Sequence, residues 1–355
     1  MLDFYKGKTV LITGSTGFKG SWLCEILSEA GATVIGYALE PNTTPNLFTL
    51  AGLDSRITQI YGDVRDYGKV LSVIQKYRPE IVFHLAAQPL VLESYQNPRY
   101  TFETNIMGTV NVLESVRQVG CVRSFLNITT DKVYENNDQK DHSFKEDEKL
   151  DGYDPYSNSK SCSELVTHSY KKSFFANSKT AVSTARAGNV IGGGDFSKDR
   201  IIPDCVKAAT AHLPIAVRNK YSTRPYQFVL EPLYAYLLIA QKQYEDEKLS
   251  GYYNVGPDHV DAITTGDLVN LFCSKWGGGL TWEDHSDPKA KHEAGYLSLD
   301  NSKIKKTLGW HPVLHVDEAI AYVVEWSQAL NSKGTDGALK IMRRQIHDFF
   351  SRVKA

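Results

Sequence analysis

The chain has 355 residues, of which 42% are hydrophobic and 23% charged, and its 40 basic and 41 acidic side chains leave a net charge of −1. At about 150 residues per domain, that is room for two domains or for one large α/β unit with a lobe attached. The composition excludes long disorder, a collagen-like repeat and a disulfide miniprotein, and the near-neutral balance excludes a strong bulk field for nucleic acid or an anionic membrane.

Taken in chain order, short β-branched runs predict strands over 9–13, 32–37, 57–61, 81–86, 122–128 and 181–185. Helical spacing follows the first run through Trp22, Leu23, Ile26 and Leu27, and recurs over 66–77, 102–119 and 156–174. Continuous apolar strands alternating with helices predict a doubly wound α/β fold, a parallel Rossmann-type sheet covered on both faces. Such sheets bind ligands at the carboxyl ends of their strands. The segment 136–149 is charged and poor in apolar residues, and is expected to be a surface loop with a functional or mobile character. After Asn189 the rhythm breaks at Gly192-Gly193-Gly194 and at prolines 203, 214, 225 and 232. The expected division is a cofactor domain over 1–188, with segments returning to it over about 226–258, and a smaller α/β lobe over 189–225 and 259–355. Within the returning part, 231–240 reads as a helix and 252–255 as a strand.

The start of the chain lacks the basic-then-apolar order of a secretory signal, and no run of about 18 uncharged apolar residues occurs. Five cysteines, an odd number with no Cys-x-x-Cys pair, read as buried reduced thiols. A cytoplasmic chain without a cysteine-based metal site is expected.

Gly14-Ser15-Thr16-Gly17-Phe18-Lys19-Gly20 directly follows the first strand and opens the first helix. Gly14 permits a tight turn, Gly17 lets backbone N–H groups approach a pyrophosphate, and Gly20 allows close helix–strand packing. The helix N-terminus then favours the anion, so a dinucleotide is expected here. The second strand is followed by Glu40, which is either a ribose ligand or a loop charge, and no arginine stands there to take a 2′-phosphate. NAD is the expected cofactor.

The spacing of these glycines, two residues between each pair, resembles the extended short-chain dehydrogenase/reductase family. Asp63-Val64 resembles that family's adenine-binding pair, Leu85-Ala86-Ala87-Gln88 its cofactor-lining turn, and Asn105 lies in the helix it uses next.

Tyr156 and Lys160 stand four residues apart and share a helix face. A free tyrosine titrates near pH ~10, so it needs a nearby cation to act as a base at neutrality. Ahead of them, the strand ending near Ile128 runs into Thr129-Thr130-Asp131-Lys132. Thr130 is the expected partner of Tyr156, while Asp131 and Lys132 add an acid and a base beyond what an oxidation requires. Together with Arg186-Ala-Gly-Asn-Val-Ile-Gly-Gly-Gly-Asp195 and Arg224-Pro-Tyr-Gln-Phe-Val-Leu-Glu-Pro232, these segments resemble the nucleotide-sugar 4,6-dehydratases from Lys6 to about Trp326. Relatives acting on dTDP-glucose typically carry Asp-Glu where this chain has Asp131-Lys132, so CDP-glucose is the substrate implied.

The resemblance implies oxidation at sugar C4 by Tyr156, Lys160 and Thr130, loss of water across C5 and C6 with Asp131 as acid, and reduction at C6. It leaves the C5 base open between Lys132 and Glu135. It places Gln88, Thr130, Asn189, Arg200, Arg224 and His292 on the nucleotide sugar, arginine being suited to a diphosphate. It also implies a homodimer joined through 102–119 and 156–174 as a four-helix bundle. The competing expectations are a sugar 4-epimerase or reductase using the same pair, and a non-catalytic NAD-binding sensor.

Overall fold

In the computed structural model, which describes residues 1–286 and 295–353, the chain runs through β1 (Thr9–Thr13), α1 (Phe18–Glu29), β2 (Thr33–Ala38), α2 (Leu47–Leu50), β3 (Thr58–Tyr61), α3 (Tyr67–Tyr77), β4 (Ile81–His84), α4 (Val91–Gln96), α5 (Pro98–Phe102), α6 (Gly108–Val119), β5 (Ser124–Thr130), α7 (Pro155–Ser173) and β6 (Ala181–Ala187). It continues with β7 (Val190–Ile191), α8 (Ile201–Thr210), β8 (Ile215–Val217), β9 (Thr223–Pro225), β10 (Gln227–Phe228), α9 (Leu230–Glu245), β11 (Tyr252–Val255), β12 (Ala262–Thr264), α10 (Thr265–Trp276), β13 (Trp282–Asp284), α11 (Ser302–Leu308) and α12 (Val316–Val353).

Seven strands form one sheet in the order β11-β6-β5-β4-β1-β2-β3, and every neighbouring pair is parallel. This is the doubly wound α/β architecture, with the order reversing between β1 and β4. β4, β5 and β6 are buried along their whole length, as continuous apolar strands between two helical layers must be. Against one face lie α3 and α6, whose Val70, Val73, Ile74, Val112, Leu113 and Val116 join Leu11, Ile35 and Phe125 of the sheet. On the other face α9 packs across β5 and β6.

Local chemistry sets the helix ends. Asp154 caps α7 by accepting from the Ser157 N–H and Oγ at 3.0 and 2.6 Å, with Pro155 preorganised in the first turn. Gly120 ends α6 in the left-handed conformation. The helix expected over 102–119 is interrupted, because Glu103–Met107 forms a π-helical turn between α5 and α6. The strand expected to end near 128 runs on to Thr130, since Thr129 and Thr130 pair with Arg186 and Ala187 of β6.

Beyond β6 the two-stranded pairs β7–β10, β9–β12 and β8–β13 sit with α8 and α10 at the carboxyl ends of the main sheet's later strands. One apolar core runs through both regions; the Trp22 indole of α1 donates to the Gly193 carbonyl at 3.0 Å and meets Phe228 edge-on. α12 breaks at Gly334 (φ 65°, ψ −161°), and its second half returns to α1 through Arg343, which bonds Glu25 at 3.0 Å. The segment 136–149 is less free than its composition implies: Phe144 is buried against Tyr134, Leu297 and Leu299, and exchanges backbone bonds with Ser298 and Asp300. Among the described residues, no helix is long and apolar enough to cross a membrane.

Candidate active site

The glycine turn comes first. Gly14 has φ +75°, and a Cβ there would meet the Ala86 nitrogen at 2.8 Å; a Cβ on Gly20 would lie 2.1 Å from the Gly14 carbonyl oxygen. Both positions therefore need glycine for close packing. Gly17 is exposed and caps α1 without a side-chain hydrogen bond, and the first helical bond runs from Ser21 N to Gly17 O. The first-turn N–H groups of this twelve-residue helix are left facing outward, which suits an anionic pyrophosphate. Thr16 donates to the Leu39 carbonyl at 2.8 Å, pinning the end of β2 to the turn, with the exposed Glu40 next in sequence. Asp63 follows β3; its carboxylate accepts from Arg65, and its carbonyl accepts from the Tyr37 hydroxyl at 2.8 Å. Val64 is buried beside α6.

Leu85, Ala86 and Ala87 line the exit of β4 half-buried. Gln88 and Asn105, expected as ligand contacts, have internal hydrogen-bond partners. Gln88 Nε2 donates to Leu90 O and Thr101 Oγ1, while Asn105 bonds both backbone groups of Gln88 and donates to Ser159 Oγ at 2.8 Å. They brace the turn after β4 against α7, and the π-helical turn is what carries Asn105 to that place.

The candidate reacting groups converge where β5 ends and α7 begins. Thr130 Oγ1 donates to Asp131 Oδ1 at 2.9 Å and accepts from the Lys132 N–H, and Thr130 also hydrogen bonds the Tyr156 phenol. Burial pushes Tyr156 up to about 12, offset by Thr130 and the charge of Arg200. Lys160 Nζ donates to the Ile128 carbonyl at 3.0 Å; burial lowers it to about 8, with Glu164 opposing. Asp131 is 1% exposed, its Oδ2 has no hydrogen-bond partner among the described residues, and burial raises its pKa against the pull of Lys132, Thr130 and Arg224. Only a glycine fits beside that oxygen, since a Cβ on Gly188 would lie 2.5 Å from it. A buried carboxyl with an uncommitted oxygen can hold and release a proton.

Lys19, expected as a cofactor contact, reaches further than that. Its ammonium lies 5.6 Å from the centre of the Tyr236 ring, and burial, Lys160 and Arg200 together lower it to about 7, with Asp131 opposing. Phe18, half-buried, closes against Gly192.

Among the residues expected on the substrate, Arg224 is buried and donates to the Thr223 and Gly295 carbonyls, Arg200 pairs with Asp195 at 3.4 Å, and Asn189 is half-buried with its carbonyl bonded by Gln227 N. The charge of Arg200 is felt at Tyr156 and that of Arg224 at Asp131, so both arginines lie near these groups. His292 lies outside the described residues. The two candidates for the C5 base differ: Lys132 is half-buried and acts on Asp131, whereas Glu135 is exposed and paired with Lys149 at 2.6 Å.

The sequence reading missed His84 and the Glu164–Arg186 pair. His84 is enclosed between Thr13 at 2.8 Å and Thr109 at 3.3 Å, and burial, aided by Lys160, lowers it to about 3, so it is neutral at physiological pH. Its position at the carboxyl end of β4 was the available signal.

Known proteins fit this geometry. A CDP-glucose 4,6-dehydratase of Salmonella typhimurium is 45% identical, the match covering 98% of each chain. A dTDP-glucose 4,6-dehydratase of Xanthomonas campestris is 27% identical over 90% of this chain and 92% of its own. Among solved structures, UDP-glucuronic acid 4-epimerase from Bacillus cereus, in complex with UDP-glucuronic acid and NAD, superimposes with a TM-score of 0.79 at 21% identity, covering 91% of this chain and 99% of its own. The dTDP-glucose 4,6-dehydratase of Bacillus anthracis in complex with NAD gives a TM-score of 0.77 at 20% identity, covering 91% and 97%. The family model described as GDP-mannose 4,6 dehydratase matches residues 11–323, and the chain belongs to that family.

Proposed function

We propose that this protein dehydrates CDP-D-glucose to CDP-4-dehydro-6-deoxy-D-glucose, with NAD as a cofactor regenerated within each cycle. The observation that carries the reading is the adjacency of Thr130, Asp131 and Lys132 at the end of β5 to Tyr156 and Lys160 on α7. It supports reading Asp131 as an elimination acid beside a hydroxyl-oxidising pair. The 45% identical relative named for CDP-glucose supports the base preference.

The glycine turn and the uncapped start of α1 fit a dinucleotide, with Lys160 toward its ribose, Asp63 and Val64 toward its adenine, and Phe18 and Lys19 along its length. NAD, when bound, supplies the hydride acceptor at C4 and the donor at C6. Tyr156 takes the C4 hydroxyl proton with Thr130 orienting that hydroxyl; a phenol that burial has pushed up to about 12 needs the bound cofactor's positive ring and Lys160 to act as a base. The resulting 4-ketone acidifies the C5 proton. Lys132 takes that proton and returns it to C5 as C6 is reduced, and Asp131, whose burial favours the protonated form, delivers one to the C6 hydroxyl, which departs as water. Arg200 and Arg224 hold the diphosphate, and Asn189 the sugar side.

In this reading 1–188 with about 226–258 is the cofactor domain, and 189–225 with 259–355 is the substrate lobe. Exposed Leu92, Met107, Leu165 and Phe174, on or beside α4 to α7, support a homodimer through those helices. The free thiols support a cytoplasmic setting.

The test is incubation with NAD and CDP-, dTDP-, UDP- or GDP-glucose, followed by mass spectrometry. Loss of one water from CDP-glucose without net NADH is expected. Loss from a different sugar overturns the substrate, and an unchanged mass with an inverted stereocentre by NMR overturns the reaction.

A further inference from the structure

One of the buried acids outside this scheme lies on the same helix as Tyr156 and Lys160. Tyr156, Lys160 and Glu164 occupy successive turns of one face of α7, and Glu164 is 1% exposed. Its carboxylate accepts three side-chain donors: Thr129 Oγ1 at 2.5 Å, Thr184 Oγ1 at 2.8 Å and Arg186 Nη2 at 2.9 Å. Arg186 is itself buried and fixed, donating from Nη1 to the Tyr134 hydroxyl at 2.8 Å and the Glu146 carbonyl at 3.0 Å.

Thr129 is the point of interest. It lies between Ile128, whose carbonyl receives the Lys160 ammonium, and Thr130, which bonds both Tyr156 and Asp131. Glu164 therefore grips the one residue that joins the two anchor points of the reacting groups, from the turn of α7 next to Lys160. A buried ion pair is a poor source of stability compared with apolar side chains of similar size, so its place directly behind the reacting lysine calls for another reason.

We propose that Glu164 is a positioning residue: its carboxylate, held by Arg186, fixes Thr129 at the end of β5 and keeps the Lys160 ammonium charged and seated on Ile128. This rests on the function proposed above only in naming Lys160 as a reacting group. Other titratable groups facing Lys160 are Lys19 from α1 and His84 from β4, with Tyr156 on its own helix. Lys19 is itself lowered by Lys160 and His84 is neutral, so among the described residues Glu164 is the anion that opposes burial there.

The experiment compares Glu164→Gln with the unaltered protein. The substitution keeps the shape and removes the charge. The 13Cε resonance of Lys160 in lysine-labelled protein, assigned by its absence in Lys160→Met, is titrated without substrate. Its midpoint is expected to fall by about one pH unit, because the lost anion no longer favours the ammonium. With CDP-glucose, kcat is expected to fall about tenfold at pH 8 with KM within about twofold. A Lys160 midpoint identical to that of the unaltered protein overturns the proposal, as does equal loss in kcat and KM. Should Glu164→Gln fail to fold, Thr129→Val is expected to lower kcat at constant KM and Thr129→Ser to restore it; an unaffected Thr129→Val overturns the proposal. Turnover by the unaltered protein is measured separately, so failure of the proposed function is distinguishable from failure here.

Discussion

Asp131 shows how a single side chain acquires a role from its surroundings. One oxygen is committed to Thr130 and the other is buried without a partner among the described residues, so the group can lose its proton without dismantling its seat. Asp131→Asn keeps that seat and removes the proton. Water loss is expected to slow by about 10²–10⁴-fold while C4 oxidation persists; mass spectrometry reads the first and absorbance of reduced nicotinamide the second. A different burial governs Glu231, whose Oε1 accepts from the Val313 and Leu314 N–H groups. Burial pushes its carboxyl from 4.5 up to about 8. Between those values the folded chain binds the extra proton, so its contribution to stability is complete below pH 4.5 and lost as pH rises through 8. Glu231→Gln, neutral throughout, is expected to gain on the unaltered protein by several degrees in Tm between pH 5 and pH 8, measured by thermal melts. Legibility at this scale divided by partner. Tyr156, Lys160 and Asp131 announce themselves by spacing along the chain. Glu164 and His84 do not, because a glutamate on a helix usually marks a solvated face, and only Arg186, 22 positions away, reveals its burial.

Among elements, the start of α1 is where packing and binding depend on the same atoms. Gly20→Ala would drive a Cβ to 2.1 Å from the Gly14 oxygen. The cost is expected to be about 1–3 kcal/mol of stability together with loss of NAD binding, read by denaturant titration and by calorimetric titration with NAD. Gly7→Ala is no control, since its φ of +76° strains any side chain. The strands and helices of the first half were legible because short continuous β-branched runs stand apart from the 3.6-residue apolar spacing of the helices between them. Two boundaries were not. The end of β5 is fixed by its partner β6 rather than by its own residues, and the π-helical turn keeps the helical period while shifting its register by one residue. In 136–149 one aromatic, Phe144, outweighs the surrounding charge: it stacks on Tyr134 at 4.8 Å and anchors the segment.

At the level of the whole molecule, α12 couples the two regions. Its second half buries Ala338, Met342, Ile346, Phe349 and Phe350 in the same core that holds Trp22 and Leu27. Cutting the chain after Gly334 is expected to remove on the order of 5–10 kcal/mol of apolar burial, comparable with the stability of an entire domain. Soluble yield and circular dichroism should show an aggregated or unfolded product. The lobe that gathers after β6 was legible as a change of rhythm. That its apolar core would be continuous with that of the sheet was not, because contacts between distant segments leave no period in either.

The closure of α12 on α1 has a consequence for how the chain is made. Glu25 is buried on α1, five residues beyond Gly20, and its compensating cations are Arg56, 31 positions later, and Arg343, 318 positions later. Synthesis proceeds from the N-terminus and domains condense as they emerge. For most of translation the helix that follows the glycine turn therefore has only one of the two counter-charges to Glu25, and α1 reaches its final electrostatic balance only once a residue some 320 positions downstream has left the ribosome.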